Sequence, residues 1–176
     1  MIVRKALPAE VTSLGEIERD AGERFREVGM PEIADDPPAP IEALAASALI
    51  LVAWAESLHE DGGRTPTALV GYAWVEIVDG QAHLEQLSVG PGHNGRGIGS
   101  ALIEAVVEWA TAQGHGALTL TTFREVPFNA PFYARRGFVA IPASEWNPGM
   151  TALVEQETAH GLDQVLRVVM ARSLGG

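Results

Sequence analysis

The residues best suited to chemistry lie in a glycine-rich segment from Val89 to Leu102, which reads V-G-P-G-H-N-G-R-G-I-G-S-A-L. Glycines at positions 95, 97 and 99 leave the backbone free to bend and keep Cβ atoms away from the turn. The amides of residues 95–100 are predicted to point into one concavity at the positive end of the helix that follows. Main-chain N–H groups arranged in this way bind phosphate oxygens. The segment therefore predicts a site for a phosphorylated cofactor.

Two common phosphate-binding motifs do not match this spacing. The dinucleotide-binding pattern G-x-G-x-x-G requires a third glycine where the chain has Ser100 or Leu102, depending on which glycine is counted first. A P-loop that begins at Gly90 reaches Gly95 correctly but then requires lysine, and the chain has Arg96 at that position. A P-loop without its lysine lacks the cation that binds the terminal phosphates.

The hexapeptide Asn94 to Gly99, N-G-R-G-I-G, resembles the pyrophosphate loop of the GNAT acetyltransferases, which is usually written Q/R-x-x-G-x-G/A. Asn94 stands where the family usually has Gln or Arg. The resemblance implies acetyl-CoA as the co-substrate, and it implies that Leu87 and Val89 align the pantetheine arm through their main-chain groups. The residues implied to bind the pyrophosphate are Asn94, Gly95, Arg96, Gly97, Ile98, Gly99 and Ser100.

A second segment resembles the same family. Residues 129–138 read N-A-P-F-Y-A-R-R-G-F, similar to the family signature N-x-x-x-x-Y-x-x-x-G-F except that three residues rather than four separate Asn129 from Tyr133. The resemblance implies that Asn129 contacts the pantetheine arm and that the Tyr133 hydroxyl faces the thioester sulfur. A tyrosine is protonated at pH 7, so Tyr133 suits the donation of a proton to the departing thiolate. Phe132 and Phe138 are predicted to be core residues.

An amine acceptor also requires a proton acceptor, because a primary amine has a pKa near ~10 and only about one molecule in a thousand is nucleophilic at neutral pH. The strand predicted before the glycine loop places His83, Glu85, Leu87 and Val89 on one face. Glu85 is the first candidate for the general base and His83 the second. Ordered water that connects several groups stays open as an alternative.

Composition limits the chemistry further. The chain has 176 residues and no cysteine, which excludes disulfides, thiolate metal sites and a cysteine nucleophile. Transfer is predicted to be direct unless a serine serves as the nucleophile, and no Ser–His–acid pattern indicates one. A net charge of −11 argues against a nucleic-acid partner, and no histidine spacing indicates a metal site.

The N-terminus lacks the apolar core of a signal peptide. The longest apolar run, Ala48 to Ala55, is too short to span a membrane. Together these two features predict a cytoplasmic protein.

Hydrophobic periodicity predicts strands and helices in the GNAT order. The fold class is predicted to be α+β, with one mixed, mostly antiparallel sheet of about six or seven strands flanked by helices and a single domain over residues 1–176. A tight hairpin is predicted at Asp79 and Gly80. The predicted strands are Val3 to Ala6, Leu49 to Ala55, Ala68 to Val78, Ala82 to Val89, Leu118 to Phe123, Phe138 to Ile141 and Val165 to Ala171. The predicted helices are Pro8 to Glu27, Ile41 to Ser47, Gly97 to Gln113, Asn129 to Arg136 and Met150 to His160.

These observations predict an N-acetyltransferase that moves an acetyl group from acetyl-CoA directly to a primary amine. A small-molecule amine is the favoured acceptor, and a peptide or protein amine is the alternative. A coenzyme A-binding sensor without turnover and an oligomerising scaffold are the two non-enzymatic alternatives. The protein is predicted to be a monomer or a homodimer.

Overall fold

The computed structural model describes residues 1–59, 63–162 and 166–175. The strands are β1 Ile2–Lys5, β2 Leu49–Leu58, β3 Arg64–Val78, β4 Gln81–Val89, β5 Ala117–Phe123, β6 Val139–Ala140 and β7 Arg167–Ser173. The α-helices are α1 Pro8–Val11, α2 Leu14–Gly22, α3 Arg24–Glu27, α4 Pro31–Ala34, α5 Ile41–Ala46, α6 Ile98–Ala112, α7 Ala130–Ala134 and α8 Pro148–Ala159. A 3-10 turn spans Ala143–Glu145.

The strands form one mixed sheet in the order β1-β2-β3-β4-β5-β7-β6. The pairs β1/β2, β2/β3, β5/β7 and β6/β7 run antiparallel, whereas β4 and β5 run parallel, with Ala82 opposite Leu118 and His83 opposite Thr119. The predicted fold class, a mostly antiparallel mixed sheet flanked by helices, is confirmed.

The chain divides into two compact units. The first unit comprises Met1–Val75 and Gln86–Val106, and the second unit comprises Glu76–Glu85 and Val107–Gly176. Strands β3 and β4 and helix α6 contribute residues to both units.

The core of the first unit is centred on β2, whose residues 49–53 are all buried. A strand that is covered on both faces reads as a continuous apolar run, and L-I-L-V-A is such a run. Leu14 of α2 and Leu44 of α5 pack on one side of this strand with Ile50 and Val52. The same cluster contains Tyr72 of β3, which is fully buried.

The second unit positions α8 through a long-range cap. Asp79 and Gly80 both have positive φ, 51° and 74°, as expected for the predicted tight turn between β3 and β4. The Asp79 carboxylate accepts hydrogen bonds of 2.8 Å from the main-chain N–H groups of Gly149 and Met150, in the first turn of α8. The helix then packs Met150 and Val154 against Val169 of β7.

Some predicted boundaries were wrong. The helix predicted from Pro8 to Glu27 is divided into α1, α2 and α3. At the first break the Thr12 hydroxyl donates to the carbonyl of Ala9 and the Ser13 N–H donates to Glu10, which tightens the turn. Helix α4 was not among the predicted helices, and it begins with proline at its first position.

Strands β2 and β3 are longer than predicted, whereas β6 is shorter. Val165, where the last strand was predicted to begin, lies outside the described residues. Within the described part of the chain, no helix is long and apolar enough to cross a membrane.

Candidate active site

The first unit contains the glycine loop, residues 90–97, immediately before α6. Gly92, Gly95 and Gly97 have φ values of 77°, 74° and 80°, a region that favours glycine. A Cβ atom built on Gly95 or Gly97 would meet no atom within 4 Å. The glycines are therefore needed for the path of the backbone, and the space beside them is open enough for a ligand.

Helix α6 begins directly at the end of this loop. The N–H of Ala101 donates to the carbonyl of Gly97 at 3.0 Å, so the amides of Ile98 and Gly99 lie in the first turn and have no acceptor within the helix. Asn94 and Arg96 are exposed, whereas Ile98 is buried and anchors the helix start in the core. The predicted pyrophosphate residues thus form one continuous segment, with exposed loop residues followed by a helical first turn. Ser100 lies in that same turn.

The end of β4 approaches β3 closely at Gly71. A Cβ atom on Gly71 would lie 2.8 Å from the carbonyl oxygen of Ser88, a distance that real Cβ atoms do not show. Gly71 therefore sets how closely β3 can approach the strand that carries Leu87 and Val89, both of which are partly exposed. The sequence analysis did not select this glycine, although an isolated glycine within an apolar strand indicates close backbone approach.

The second unit contains Tyr133 and Asn129. The Tyr133 ring packs edge-to-face between Phe132 and Phe138, with centroid distances of 5.2 and 5.7 Å. Its hydroxyl makes no hydrogen bond to any residue that the structure describes, and burial raises its pKa, so it is protonated at neutral pH. The Asn129 amide donates to Thr122 at 2.8 Å, which orients the side chain at the start of α7.

His83 and Glu85 lie on one face of β4, as predicted, in contrasting environments. His83 is 1% exposed, its Nδ1 is 2.9 Å from the Thr119 hydroxyl, and its Nε2 is 3.8 Å from Glu85 Oε2. Burial and the positive charge of Arg167 lower the pKa of His83 to about 4, so the imidazole is neutral at pH 7. A neutral ring that is almost inaccessible fits a structural role better than that of a base.

The Glu85 side chain is partly exposed, and its pKa is raised to about 7. Burial is the largest cause, followed by the negative charges of Glu157 and Glu76, whereas Arg167 lowers the pKa. A general base is most effective when its pKa lies near the working pH. Of the two candidates, Glu85 has the more suitable exposure and pKa.

The sequence analysis missed Glu157 and Arg167, which form a largely buried ion pair between α8 and β7. Arg167 donates to Glu157 Oε1 and to the Thr121 hydroxyl at 2.7 Å each, and Thr121 also donates to Glu157. Only tertiary structure could have revealed this pair, because neither residue lies in a recognisable motif. We call the following residues the carboxylate–arginine cluster: His83, Glu85, Thr119, Thr121, Glu157 and Arg167.

A cavity of about 400 Å³ lies beside this cluster. Thr121, Glu157 and Arg167 form part of its wall, and apolar side chains form most of the rest. The indole N–H of Trp146 donates to the carbonyl of Ile141 at 3.1 Å, so the tryptophan presents its ring to the cavity rather than a hydrogen-bond donor. Among the described residues, no group of three or more His, Asp or Glu side chains is arranged to hold a metal ion.

Comparison with known proteins agrees with this geometry. A family model described as Acetyltransferase (GNAT) family matches residues 16–138, more than two thirds of the 176-residue chain. The chain belongs to the GNAT acetyltransferase family. It is therefore an acyltransferase of the GNAT type, and its co-substrate is acetyl-CoA.

Solved structures share the fold at low sequence identity. The Mycobacterium tuberculosis protein Rv2747, in complex with CoA, has a TM-score of 0.68 at 17% identity, and the match covers 98% of this chain and 99% of that one. The PaiA N-acetyltransferase from Thermoplasma acidophilum, in complex with coenzyme A, has a TM-score of 0.60 at 18% identity, covering 98% of both chains. A ribosomal-protein-alanine N-acetyltransferase from Escherichia coli has a TM-score of 0.63 at 14% identity, covering 99% and 94%.

Proposed function

We propose that this GNAT protein transfers the acetyl group of acetyl-CoA directly to the primary amine of a small molecule. One observation supports this proposal above the others. The second unit holds both a carboxyl group with a pKa of about 7 and a protonated tyrosine hydroxyl without a protein partner among the described residues. Direct transfer to an amine requires one proton acceptor and one proton donor with these properties.

The proton balance of the proposed reaction is simple. Glu85, ionised at or above neutral pH, takes a proton from the ammonium group of the acceptor, directly or through water. The neutral nitrogen attacks the thioester carbonyl carbon, a C–N bond forms and the C–S bond breaks. Tyr133 gives its proton to the departing thiolate of coenzyme A. The second proton, which the nitrogen loses as it becomes an amide, returns to the Tyr133 oxygen directly or through water, and the proton held by Glu85 passes to solvent. The chain has no cysteine to carry the acetyl group in between.

Acetyl-CoA fits the glycine loop in this proposal. Its pyrophosphate would accept hydrogen bonds from the amides of residues 95–100, and Leu87, Val89 and Asn129 would contact its pantetheine arm. The open space beside Gly95 and Gly97 supports this assignment, because a ligand can approach the main chain there.

The cavity of the second unit supports a small-molecule acceptor. Its volume of about 400 Å³ lies within the usual range for small-ligand sites. Glu157 and Arg167 belong to its wall, and both act electrostatically on Glu85, the proposed base. The apolar lining favours an acceptor with an apolar body. A single-domain, cytoplasmic protein, monomeric or dimeric, stays part of the proposal.

A panel of amines tests the proposal. The full chain would be mixed with acetyl-CoA and with primary amines, including arylalkylamines, amino acids, polyamines, aminoglycosides and a peptide with a free N-terminus. Release of free coenzyme A would be measured alongside the mass of the acetylated product. The expected result is turnover of a small apolar amine at a rate well above the rate without amine.

Acetylation of the peptide alone would support a protein acceptor instead. Tight binding of coenzyme A without turnover of any amine would support the sensor alternative. Intersecting initial-rate lines are expected when both substrates are varied, and an acetylated enzyme detected by mass spectrometry would contradict direct transfer.

A further inference from the structure

The ion pair between Glu157 and Arg167 is held rigidly. Arg167 bonds both Glu157 and Thr121, and its guanidinium carbon lies 5.0 Å from the centre of the Phe123 ring. The two charged side chains are only 15% and 14% exposed. A charge pair with this little solvent is weakly screened, so each partner affects other groups in the same unit more strongly than a surface charge would.

Two sets of contacts that share one face of β5 lie between this pair and Glu85. Thr119 and Thr121 lie two residues apart on β5 and therefore on the same face of the strand. Thr121 contacts the ion pair, and Thr119 contacts His83, whose ring is next to the Glu85 carboxylate.

We propose that Glu157 and Arg167 are positioning residues that set the charge state of Glu85 and thereby the pH range of acetyl transfer. The proposal rests on the proposed function in that it takes Glu85 as the base. It goes further by assigning a role to two residues that belong to neither family motif.

The proposal combines these contacts with the charges that act on Glu85. Glu157 of α8 and Glu76 of β3 repel its ionised form, Arg167 of β7 attracts it, and His83 of β4 is neutral. Glu157 and Arg167 also neutralise each other, so removal of one leaves the other charge uncompensated. The two single variants must therefore move the titration of Glu85 in opposite directions, which a merely structural role of the pair would not do.

The experiment is a double-mutant cycle with Glu157→Gln, Arg167→Gln and the double variant. The carboxyl carbons of glutamate would be labelled with ¹³C, and the Glu85 signal would be assigned by its loss in Glu85→Gln. NMR titration then reports the pKa of Glu85 without any need for turnover. Glu157→Gln should lower this pKa by about one unit and Arg167→Gln should raise it by a smaller amount. The double variant should titrate between Glu157→Gln and the unmodified protein, because Glu157 acts on Glu85 more strongly than Arg167 does.

The matched control is Glu155→Gln, which removes the same charge from an exposed position on the same helix. It should leave the Glu85 titration unchanged. Arg167→Lys keeps the positive charge and should leave the Glu85 titration close to that of the unmodified protein. If Arg167→Gln does not fold, the comparison of Glu157→Gln with Glu155→Gln carries the test. The acidic limb of the pH–rate profile should move in the same directions once an amine acceptor is known.

The proposal would be overturned if the pKa of Glu85 shifted in the same direction in both single variants, or shifted in neither. Opposite NMR shifts in a protein that acetylates no amine would support the positioning role and reject the proposed function. The two failures can therefore be told apart.

Discussion

In the glycine loop of the first unit, the proposed ligand contacts come from main-chain amides of one continuous segment. The carboxylate–arginine cluster of the second unit is instead built from side chains on β4, β5, α8 and β7, and the proposed proton donor, Tyr133, lies on α7 of the same unit. The loop needs glycine types at fixed spacing, so its function is local and depends on backbone geometry. The cluster depends on burial and on charges that are distant in sequence. Variants of the loop should therefore change affinity, whereas variants of the cluster should change rate and pH dependence.

The largest effect is expected for the loop. Gly97→Val should abolish coenzyme A binding measured by calorimetry, because φ is 80° at this position and the added side chain would occupy the open space beside the amides. Gly29→Val is the matched control, because Gly29 has φ of 78° and open surroundings in an exposed turn outside the loop. Gly29→Val should lower the free energy of unfolding by a similar amount and leave the binding of coenzyme A unchanged. Unchanged affinity in a folded Gly97→Val protein would remove the loop from the site.

Tyr133→Phe tests whether the second unit affects the rate of acetyl transfer without affecting the binding of coenzyme A. The change removes one hydroxyl and keeps the ring packed between Phe132 and Phe138. General-acid assistance contributes about 10²–10⁴-fold, so kcat on the true acceptor should fall by that factor while the affinity for coenzyme A stays the same. Steady-state kinetics and calorimetry measure the two quantities. A near-normal kcat would show that Tyr133 has only a packing role.

Glu85→Gln tests the pH dependence of the same unit. The Glu85 base is ionised above a pKa of about 7, so kcat/KM of the unmodified protein should fall as the pH is lowered through that value. This acidic limb should be lost in Glu85→Gln. If His83 were the base, with its pKa of about 4, the limb would lie at much lower pH and would survive the substitution.

The same residue predicts a change in stability with pH. The folded-state pKa of Glu85 is about 7, raised above the value near ~4.3 expected in the unfolded chain. The protonated carboxyl thus contributes stability that is fully present below the unfolded pKa and is lost as the pH rises through 7. Glu85→Gln should raise Tm relative to the unmodified protein at pH 8 and have little effect at pH 4. An equal effect at both values would contradict the assigned pKa.

The smallest effect is expected at Asp79, which lies outside the carboxylate–arginine cluster and caps the start of α8. Asp79→Ala removes two hydrogen bonds to the start of α8 and should lower the free energy of unfolding by about 1–2 kcal/mol. Asp79→Asn is the control, because asparagine tolerates positive φ and keeps one acceptor oxygen. Asp79→Asn should lower the free energy of unfolding by less than Asp79→Ala does. Denaturant unfolding measures the free energy of unfolding of both variants. Equal decreases would mean that the negative charge of Asp79, rather than its hydrogen bonds to α8, stabilises the protein.

The sequence determined the features that depend on residue type and local spacing. Alternation and helical periodicity were enough to predict the mixed sheet and most element positions, because each element buries its own apolar face. The dipeptide Asp79-Gly80 predicted its hairpin, since both residues must adopt positive φ. The family was also readable, because the glycine loop and the tyrosine segment are continuous motifs that the family model matches.

Only the tertiary structure decided the features that depend on distant residues. The choice between His83 and Glu85 required their burial and the charges around them, which strand alternation does not supply. Glu157 and Arg167 belong to the carboxylate–arginine cluster because α8 packs on β7 beside Thr121. The role of Asp79 as the cap of a helix 70 residues away is likewise invisible in the sequence. A local conformation follows from a few neighbouring residues, whereas the pKa of a buried group follows from every charge that the fold brings near it.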